Sequence, residues 1–374
     1  MYLQQLRLKN FRNFSELELR FEPGLSLLVG ANGTGKSNLL EAVALLSQGR
    51  SLHESAELKH KIKWGEEQAE VFGAFVSATE PLEIGMRLSH KGLDRSEFNH
   101  KPIQRLSQLL GKIPLVQLLA HDIELCAGAP ALRRRYLDGV LSTSDPQYFF
   151  YLLAYQKALR QRNAQLQRGS VGQDEFLPQL LDYGFELTQR RRDFVKSIQA
   201  EFQRHLENIF EVSGRPQFAY RGWGLLHAGQ ACDKATYAQT CVAWVRDHQT
   251  AELRMQRTMF GPHCDDLVFT MDEGRPFRGT GSKGELRAVA LALKLAQLQW
   301  LESRSGAQAI VMIDEALHEL DPLKQRAFLQ VLCPGRQVLW ADTRYPSEVL
   351  GLGSYQRFEL STQDGVRSGV ACQN

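Results

Sequence analysis

The sequence predicts an α/β fold, and three observations carry that reading. A short apolar strand runs into a glycine-rich loop and then into an amphipathic helix. A second apolar strand, far along the chain, ends in two carboxylates. Between them lies a long stretch with helical periodicity. Strands and helices in this alternation pack as a parallel sheet covered by helices.

The elements follow in order. Leu6 and Leu8 alternate with charged neighbours, and Leu17, Leu19 and Phe21 repeat the pattern. Period two marks a half-buried strand. Pro23-Gly24 is a turn, after which Leu25, Leu27 and Val29 lead into the loop. From Asn38 to Gln48, residues Leu39, Leu40, Val43, Leu45 and Leu46 give a helix with a buried face. Short β runs such as Ala69–Val76 and Leu82–Leu88 continue to about Asp94. From about Asp145 the texture turns helical. Tyr148 to Gln167 is one helix and about Glu175 to Val212 a second, with Gln167–Gly172 as a hairpin connection between them. The pair reads as a two-helix projection. A third helix runs from about Lys234 to Met255. The α/β texture then returns, with a helix over Glu285–Ser303 and buried strands at Ala309–Ile313 and Gln337–Trp340.

The chain of 374 residues is long enough for two domains and a sizeable core. With 43% hydrophobic and 23% charged residues it is neither disordered nor fibrous. No stretch approaches the ~20 apolar residues of a membrane span. The first residues lack an apolar h-region, so a secretory signal is not expected. The six cysteines form no Cys-x-x-Cys pair, which suggests neither a zinc site nor a disulfide framework. A reducing, cytoplasmic setting is the expectation. The net charge is only +3, so any nucleic-acid contact must come from local basic clusters.

Gly30-Ala31-Asn32-Gly33-Thr34-Gly35-Lys36-Ser37, followed by Asn38, fits the phosphate-binding P-loop pattern. Glycines let backbone N–H groups converge on phosphate oxygens, and the helix N-terminus adds positive potential. Lys36 would reach the β- and γ-phosphates of ATP, and Ser37 would ligate Mg2+. Ala309-Ile310-Val311-Met312-Ile313-Asp314-Glu315 suits a Walker B strand. Solvated carboxylates at a strand end are common, but the P-loop makes this pair specific. Asp314 would hold Mg2+, and Glu315 would orient or deprotonate the attacking water.

Ser282-Lys283-Gly284-Glu285 opens the helix over Glu285–Ser303. Alone it is a good N-cap with an acidic first turn. After a P-loop and a long insertion, and before a Walker B strand and Leu320-Asp321, it falls where ABC-type ATPase heads carry their signature. There the Ser-x-Gly-x helix start meets the γ-phosphate held by the other subunit. Ser282, Gly284 and Glu285 are the signature candidates in trans, and Asp321 the D-loop candidate.

Several stretches together resemble the RecF family of SMC-like ABC-type ATPases. They are Leu8-Lys9-Asn10-Phe11-Arg12-Asn13-Phe14, the run from Gly30 through Asn38-Leu39-Leu40-Glu41-Ala42 to Gly49-Arg50-Ser51, Arg133-Arg134-Arg135-Tyr136-Leu137-Asp138, Gln161-Arg162-Asn163, Gly261-Pro262-His263 with Asp265-Asp266, and Glu319-Leu320-Asp321. The resemblance runs essentially end to end. It implies a discontinuous head, about 1–115 plus 256–374, and a mostly helical second lobe, about 116–255, lacking a long coiled coil. It implies a homodimer that forms on ATP, binds double-stranded and gapped DNA with single-strand/double-strand junctions, and hydrolyses ATP slowly. RecO- and RecR-like partners, RecA loading and support of the SOS response belong to the same implication, and membrane association does not.

The sequence departs from the family pattern at four places. Lys283 and Leu286 stand in the signature where glutamine is common, Glu315 where aspartate is common, and Cys264 where a basic residue follows Gly-Pro-His. Ala120-His121-Asp122 replaces a proline-acid segment. The phosphate-facing Ser282 and Gly284 are kept.

Among the basic clusters, Lys157, Arg160 and Arg162 are the DNA-facing candidates. Arg133–Arg135 and Arg190–Arg192 with Lys196 read either as phosphate contacts or as intramolecular ion pairs. His263 reads as a packed turn histidine, Gln117 as a γ-phosphate sensor or a polar loop residue, and Arg12 and Asn13 as nucleotide contacts or an exposed β-turn. The rival functions are a nucleotide-gated SMC-like scaffold in another repair or defence system, and a transporter ATPase, which the helical lobe does not fit.

Overall fold

The computed structural model describes residues 1–48, 58–78, 80–104, 106–169, 174–210, 212, 214–223, 233–271, 274, 276–277, 281–318, 320–344, 354–361 and 365–371. Residues 170–173 of the expected hairpin connection, and 49–51 and 319 of the family-like runs, lie outside the described residues.

The chain starts with strands β1 (Tyr2–Phe11), β2 (Phe14–Arg20) and β3 (Leu25–Val29), then helix α1 (Lys36–Gln48). Strands β4 (Gln68–Val76), β5 (Leu82–Ser89), β6 (Gly92–Phe98), β7 (Lys101–Pro102) and β8 (Leu115–Leu119) follow. The helices α2 (Glu124–Ala127), α3 (Pro130–Ser144), α4 (Pro146–Gln167) and α5 (Leu177–Ile209) come next. After them lie β9 (Gln217–Arg221), α6 (Lys234–Met255), β10 (Asp266–Thr270), α7 (Lys283–Ser305) and β11 (Ile310–Asp314). Helix α8 (Pro322–Leu332) and strands β12 (Val338–Asp342), β13 (Tyr355–Ser361) and β14 (Gly365–Ala371) complete it.

Two compact units divide this chain. The first comprises residues 1–123, 201–212 and 282–374. Its central sheet has the order β14-β13-β3-β12-β11-β8, parallel except for the β13–β14 pair. Strands β3, β11 and β12 are buried along almost their whole length, as strands covered on both faces must be. An antiparallel sheet, β2-β1-β4-β5-β6-β7, accompanies it. Helix α1 packs against β4 and β5 of this sheet and against β11 and β12 of the other. That is why α1 buries Leu39, Leu40, Ala42, Val43, Leu45 and Leu46, more than a one-sided helix would. Gly73 of β4 allows the close approach: a Cβ there would sit 2.7 Å from Leu46 Cδ1.

The second unit comprises residues 124–200 and 213–281. It is mostly helical, with one antiparallel pair, β9–β10. Helix α3, carrying the Arg133–Arg135 run, and the β9–β10 pair are elements the periodicity did not mark. The boundaries therefore differ from those expected at 115 and 255. Strand β8 pairs with β11 as an edge of the parallel sheet, so residues up to 123 stay with the head. Strand β10 pairs with β9, so residues up to 281 stay with the helical unit.

Among the described residues no helix is long and apolar enough to cross a membrane.

Candidate nucleotide site and nucleic-acid interface

Strand β3 delivers the P-loop at its C-terminal end, and α1 begins at Lys36. Gly35 has φ +104, and a Cβ there would meet Asn13 Nδ2 at 2.5 Å and Phe14 Cζ at 2.7 Å, so only glycine fits. Asn13 braces the loop from outside: its Nδ2 donates to the Thr34 carbonyl at 3.1 Å, and its Oδ1 accepts from Asn38 Nδ2 at 2.8 Å. Lys36 is 5% exposed and turned inward. Its Nζ donates to the carbonyls of Gly30 at 2.7 Å and Ala31 at 3.0 Å.

The Walker B strand β11 lies two strands from β3 and ends at Asp314. Ser37 and Asp314 line the same cavity, and the Ser37 hydroxyl helps to hold the Asp314 carboxyl down. Burial raises the Asp314 pKa and the neighbouring Glu315 charge adds to it, while Ser37, Lys36 and His121 pull the other way. Glu315 has φ +55, a left-handed backbone that a non-glycine residue adopts at a cost. Strain of this kind concentrates at working sites. Glu315 nevertheless stays at the sheet's edge, bridging Leu119 at the end of β8.

A cavity of about 260 Å³ opens here, lined among others by Arg12, Ser37, Asn38, Gln117, His121 and Asp314. Gln117 is thus in the site, and its backbone carbonyl accepts from Lys294 Nζ at 3.0 Å. Arg12 is also present, with its guanidinium committed to Glu41: Nε to Oε2 at 2.7 Å and Nη2 to Oε1 at 2.9 Å. Lys61 pairs with the same carboxylate. Burial alone would raise the Glu41 pKa, but these two cations hold it below the ordinary value. Sequence reasoning missed Glu41, although it stands one turn after Ser37 on α1.

The signature candidates sit at the start of α7. Ser282 Oγ accepts from Glu285 N at 3.2 Å, and Glu285 Oε2 accepts from Ser282 N at 2.8 Å, a reciprocal capping box. Ser282 and Gly284 are exposed, and nothing lies within 4 Å of a Cβ built on Gly284. Neither lines the cavity. Asp321 caps α8 by accepting from Lys324 N at 3.0 Å, and this bond lowers its pKa.

The basic candidates separate. Lys157 and Arg160 are exposed on one face of α4. Arg162 is not: it is 2% exposed, with Nε on Asp174 at 2.7 Å and Nη2 on Glu252 at 2.6 Å. Its expected DNA-facing role is corrected. The helical period turns Arg162 inward, where it neutralises a buried carboxylate. In the other arginine runs three members form internal pairs, while Arg135 and Lys196 are exposed. Arg133 binds Asp266, Arg190 binds Asp145 and Glu186, and Arg191 binds Asp138. His263 is a packed turn histidine, with Nδ1 2.6 Å from Tyr155 Oη and Nε2 3.0 Å from the Thr258 carbonyl.

The family model described as "RecF/RecN/SMC N terminal domain" matches residues 2–339. The DNA replication and repair protein RecF of Halalkalibacterium halodurans is 32% identical over 340 residues, covering 89% of this chain and 90% of that protein. This chain belongs to the RecF family. Its relative from Geobacter sulfurreducens is 31% identical and covers 96% of this chain and 98% of that one. A solved recombination mediator protein RecF with ATP superposes with a TM-score of 0.88 at 28% identity, over 98% of this chain and 97% of that one. An SMC head bound to the C-winged helix domain of ScpA shares the fold, with a TM-score of 0.59 at 15% identity. The fold is accordingly a discontinuous P-loop ABC-type ATPase head with a helical second lobe.

Proposed function

We propose that this chain is an ATP-dependent DNA-binding ATPase of recombinational gap repair, working as a homodimer that closes on ATP. One observation carries the reading. Ser37 and Asp314 meet in one cavity, while the signature helix start of the same chain is open to solvent and takes no part in it. A complete site then needs Ser282 and Gly284 from a second copy.

The residues present fit both ATP and Mg2+. The carbonyl-bound Lys36 ammonium lies beside the loop, free to exchange two neutral acceptors for phosphate oxygens. Residues 30–38 would cradle the phosphates, and Ser37 and Asp314 are hard oxygen donors suited to magnesium. That ion would supply charge neutralisation between the β- and γ-phosphates. Glu315 would orient the attacking water and accept its proton. The open N-terminus of α7 would meet the partner's γ-phosphate. Lys157 and Arg160 would contact the DNA backbone. Hydrolysis would remove the γ-phosphate that joins the two copies and so release the DNA. RecR and RecO type partners, RecA loading, SOS support and a cytoplasmic setting rest on the family resemblance.

The test is anisotropy of labelled gapped duplex titrated with Glu315→Gln protein, with and without Mg-ATP. The substitution keeps nucleotide binding and blocks hydrolysis. A sharp rise in affinity with ATP is expected. Equal affinity without ATP would favour the scaffold reading.

A further inference from the structure

Trp64 is 98% exposed, whereas Trp340 is 1% exposed. Leaving an indole in water forfeits one of the largest burial gains a side chain can make. The turn that carries it is firmly held. Lys63 N donates to the Asn10 carbonyl at 2.8 Å, Glu66 N to the Lys63 carbonyl at 3.1 Å, and Arg12 N to the Lys61 carbonyl at 2.7 Å. Asn10 Nδ2 also donates to Glu66 Oε2 at 2.9 Å. Ile62, two residues before, is buried in the head core. The ring is therefore presented outward on a fixed support.

Along the chain its neighbours are cationic before it and acidic after it, where Glu66 and Glu67 are exposed. Lys59 and His60 are exposed in the preceding turn, and Lys63 is half-buried beside it. The same segment is tied to the nucleotide cavity. Arg12 Nη1 donates to the His60 carbonyl at 2.9 Å, and both Arg12 and Lys61 bind Glu41 of α1. An aromatic face beside lysines is the chemistry that holds an unpaired nucleobase: the ring stacks and the cations track the phosphates.

We propose that Trp64 stacks on a base of single-stranded DNA, with Lys59 and Lys63 on the adjoining phosphates, at the single-strand side of a gap. The inference rests on the DNA-binding reading above and names the residue that senses the unpaired strand. Inside a duplex the base faces are stacked on one another, so away from duplex ends this contact needs an unpaired strand.

The experiment uses the full chain with Mg-ATP. Wild type, Trp64→Phe and Trp64→Ala are titrated with an oligo(dT), a blunt duplex and a gapped duplex, following anisotropy and tryptophan quenching. The Trp64→Ala protein is expected to bind oligo(dT) and gapped duplex about ten-fold more weakly, with blunt-duplex affinity unchanged. Trp64→Phe should retain most of the affinity, since a phenyl ring still stacks. Oligo(dT) should quench the wild-type fluorescence and not that of Trp64→Ala. Equal affinities for oligo(dT) in wild type and Trp64→Ala would overturn the proposal and point to a protein-contact role. An equal loss on blunt duplex would overturn it too. If wild type binds none of the DNAs, the DNA-binding reading itself fails. An intact wild type with an unaffected Trp64→Ala sinks only the stacking role.

Discussion

Arg287 Nη1 donates to the backbone carbonyl of Ala316 across 2.7 Å. Arg287 lies in the second turn of α7, whose start carries the signature, and Ala316 directly follows Glu315. One buried guanidinium therefore links the helix start proposed to meet a second copy with the turn that carries Glu315, the proposed water-orienting carboxylate. Arg287→Ala should lower ATP turnover about ten-fold while leaving nucleotide affinity near wild type, since a lost hydrogen bond to a charged donor is worth about 1.5–3 kcal/mol. Steady-state hydrolysis beside equilibrium binding of a fluorescent ATP analogue separates the two. A large fall in affinity with turnover intact would refute the link.

Lys36 gives a second prediction. Its ammonium already faces the loop, so removing it takes away charge-assisted bonds and little else. Lys36→Ala should weaken ATP binding about a hundred-fold, ~2.7 kcal/mol. Circular dichroism should show an unchanged fold. Isothermal titration with Mg-ATP measures the loss.

The arginine on α4 and its two neighbours should behave oppositely. Arg162→Ala strands the buried Glu252 and should cost about 3–5 kcal/mol of stability, read by chemical denaturation. Replacing Lys157 and Arg160 together by alanine should leave stability within about 0.5 kcal/mol, as for ordinary surface changes. The same double variant should reduce the slope of log affinity against log salt by about 2.

Asp265 gives a pH signature. It is 1% exposed, and burial pushes its pKa from 3.8 up to about 6 against the opposing influence of Arg191, Trp223 N and Tyr220. The folded chain therefore holds this proton more tightly than the unfolded chain. Stability from this group is greatest below pH 3.8 and falls as pH rises from there to about 6. The penalty above that range is of order 3 kcal/mol. Relative to wild type, Asp265→Asn should show a flatter fall of unfolding free energy between pH 4 and 6. Parallel curves for the two proteins over that range would remove Asp265 as the source.

Much of the head was legible because its signals are local. Period-two alternation gave β1 and β2, the apolar run ending in Asp314 gave β11, and the periodic leucines gave α1. Ser282 and Glu285 announced the start of α7 because a capping box needs only four consecutive residues. Helix α6 was marked at both ends. Strands β8, β9 and β10 were not, because five residues of mixed polarity repeat the strand period too few times to be told from loop until a partner strand is known. Those missed strands are also what moved the unit boundaries.

The sequence by itself determined the strand, glycine loop and helix around Gly30–Ser37, the strand that ends in Asp314, the capped start of α7 and the family. Each depends on residue types at fixed short spacings, where the chain's own geometry brings the groups together. Only the tertiary structure decided which charges are free to meet a ligand. Arg160 and Arg162 stand two residues apart and have the same formal charge. The turn of α4 puts one in water and the other against Glu252, because a buried carboxylate is tolerable only beside a cation. Tertiary structure also brought Asp314 to Ser37, closed Arg12 and Lys61 onto Glu41, and left the Trp64 ring in water. Contacts between distant segments are set by how the layers pack, and no spacing along the chain encodes them.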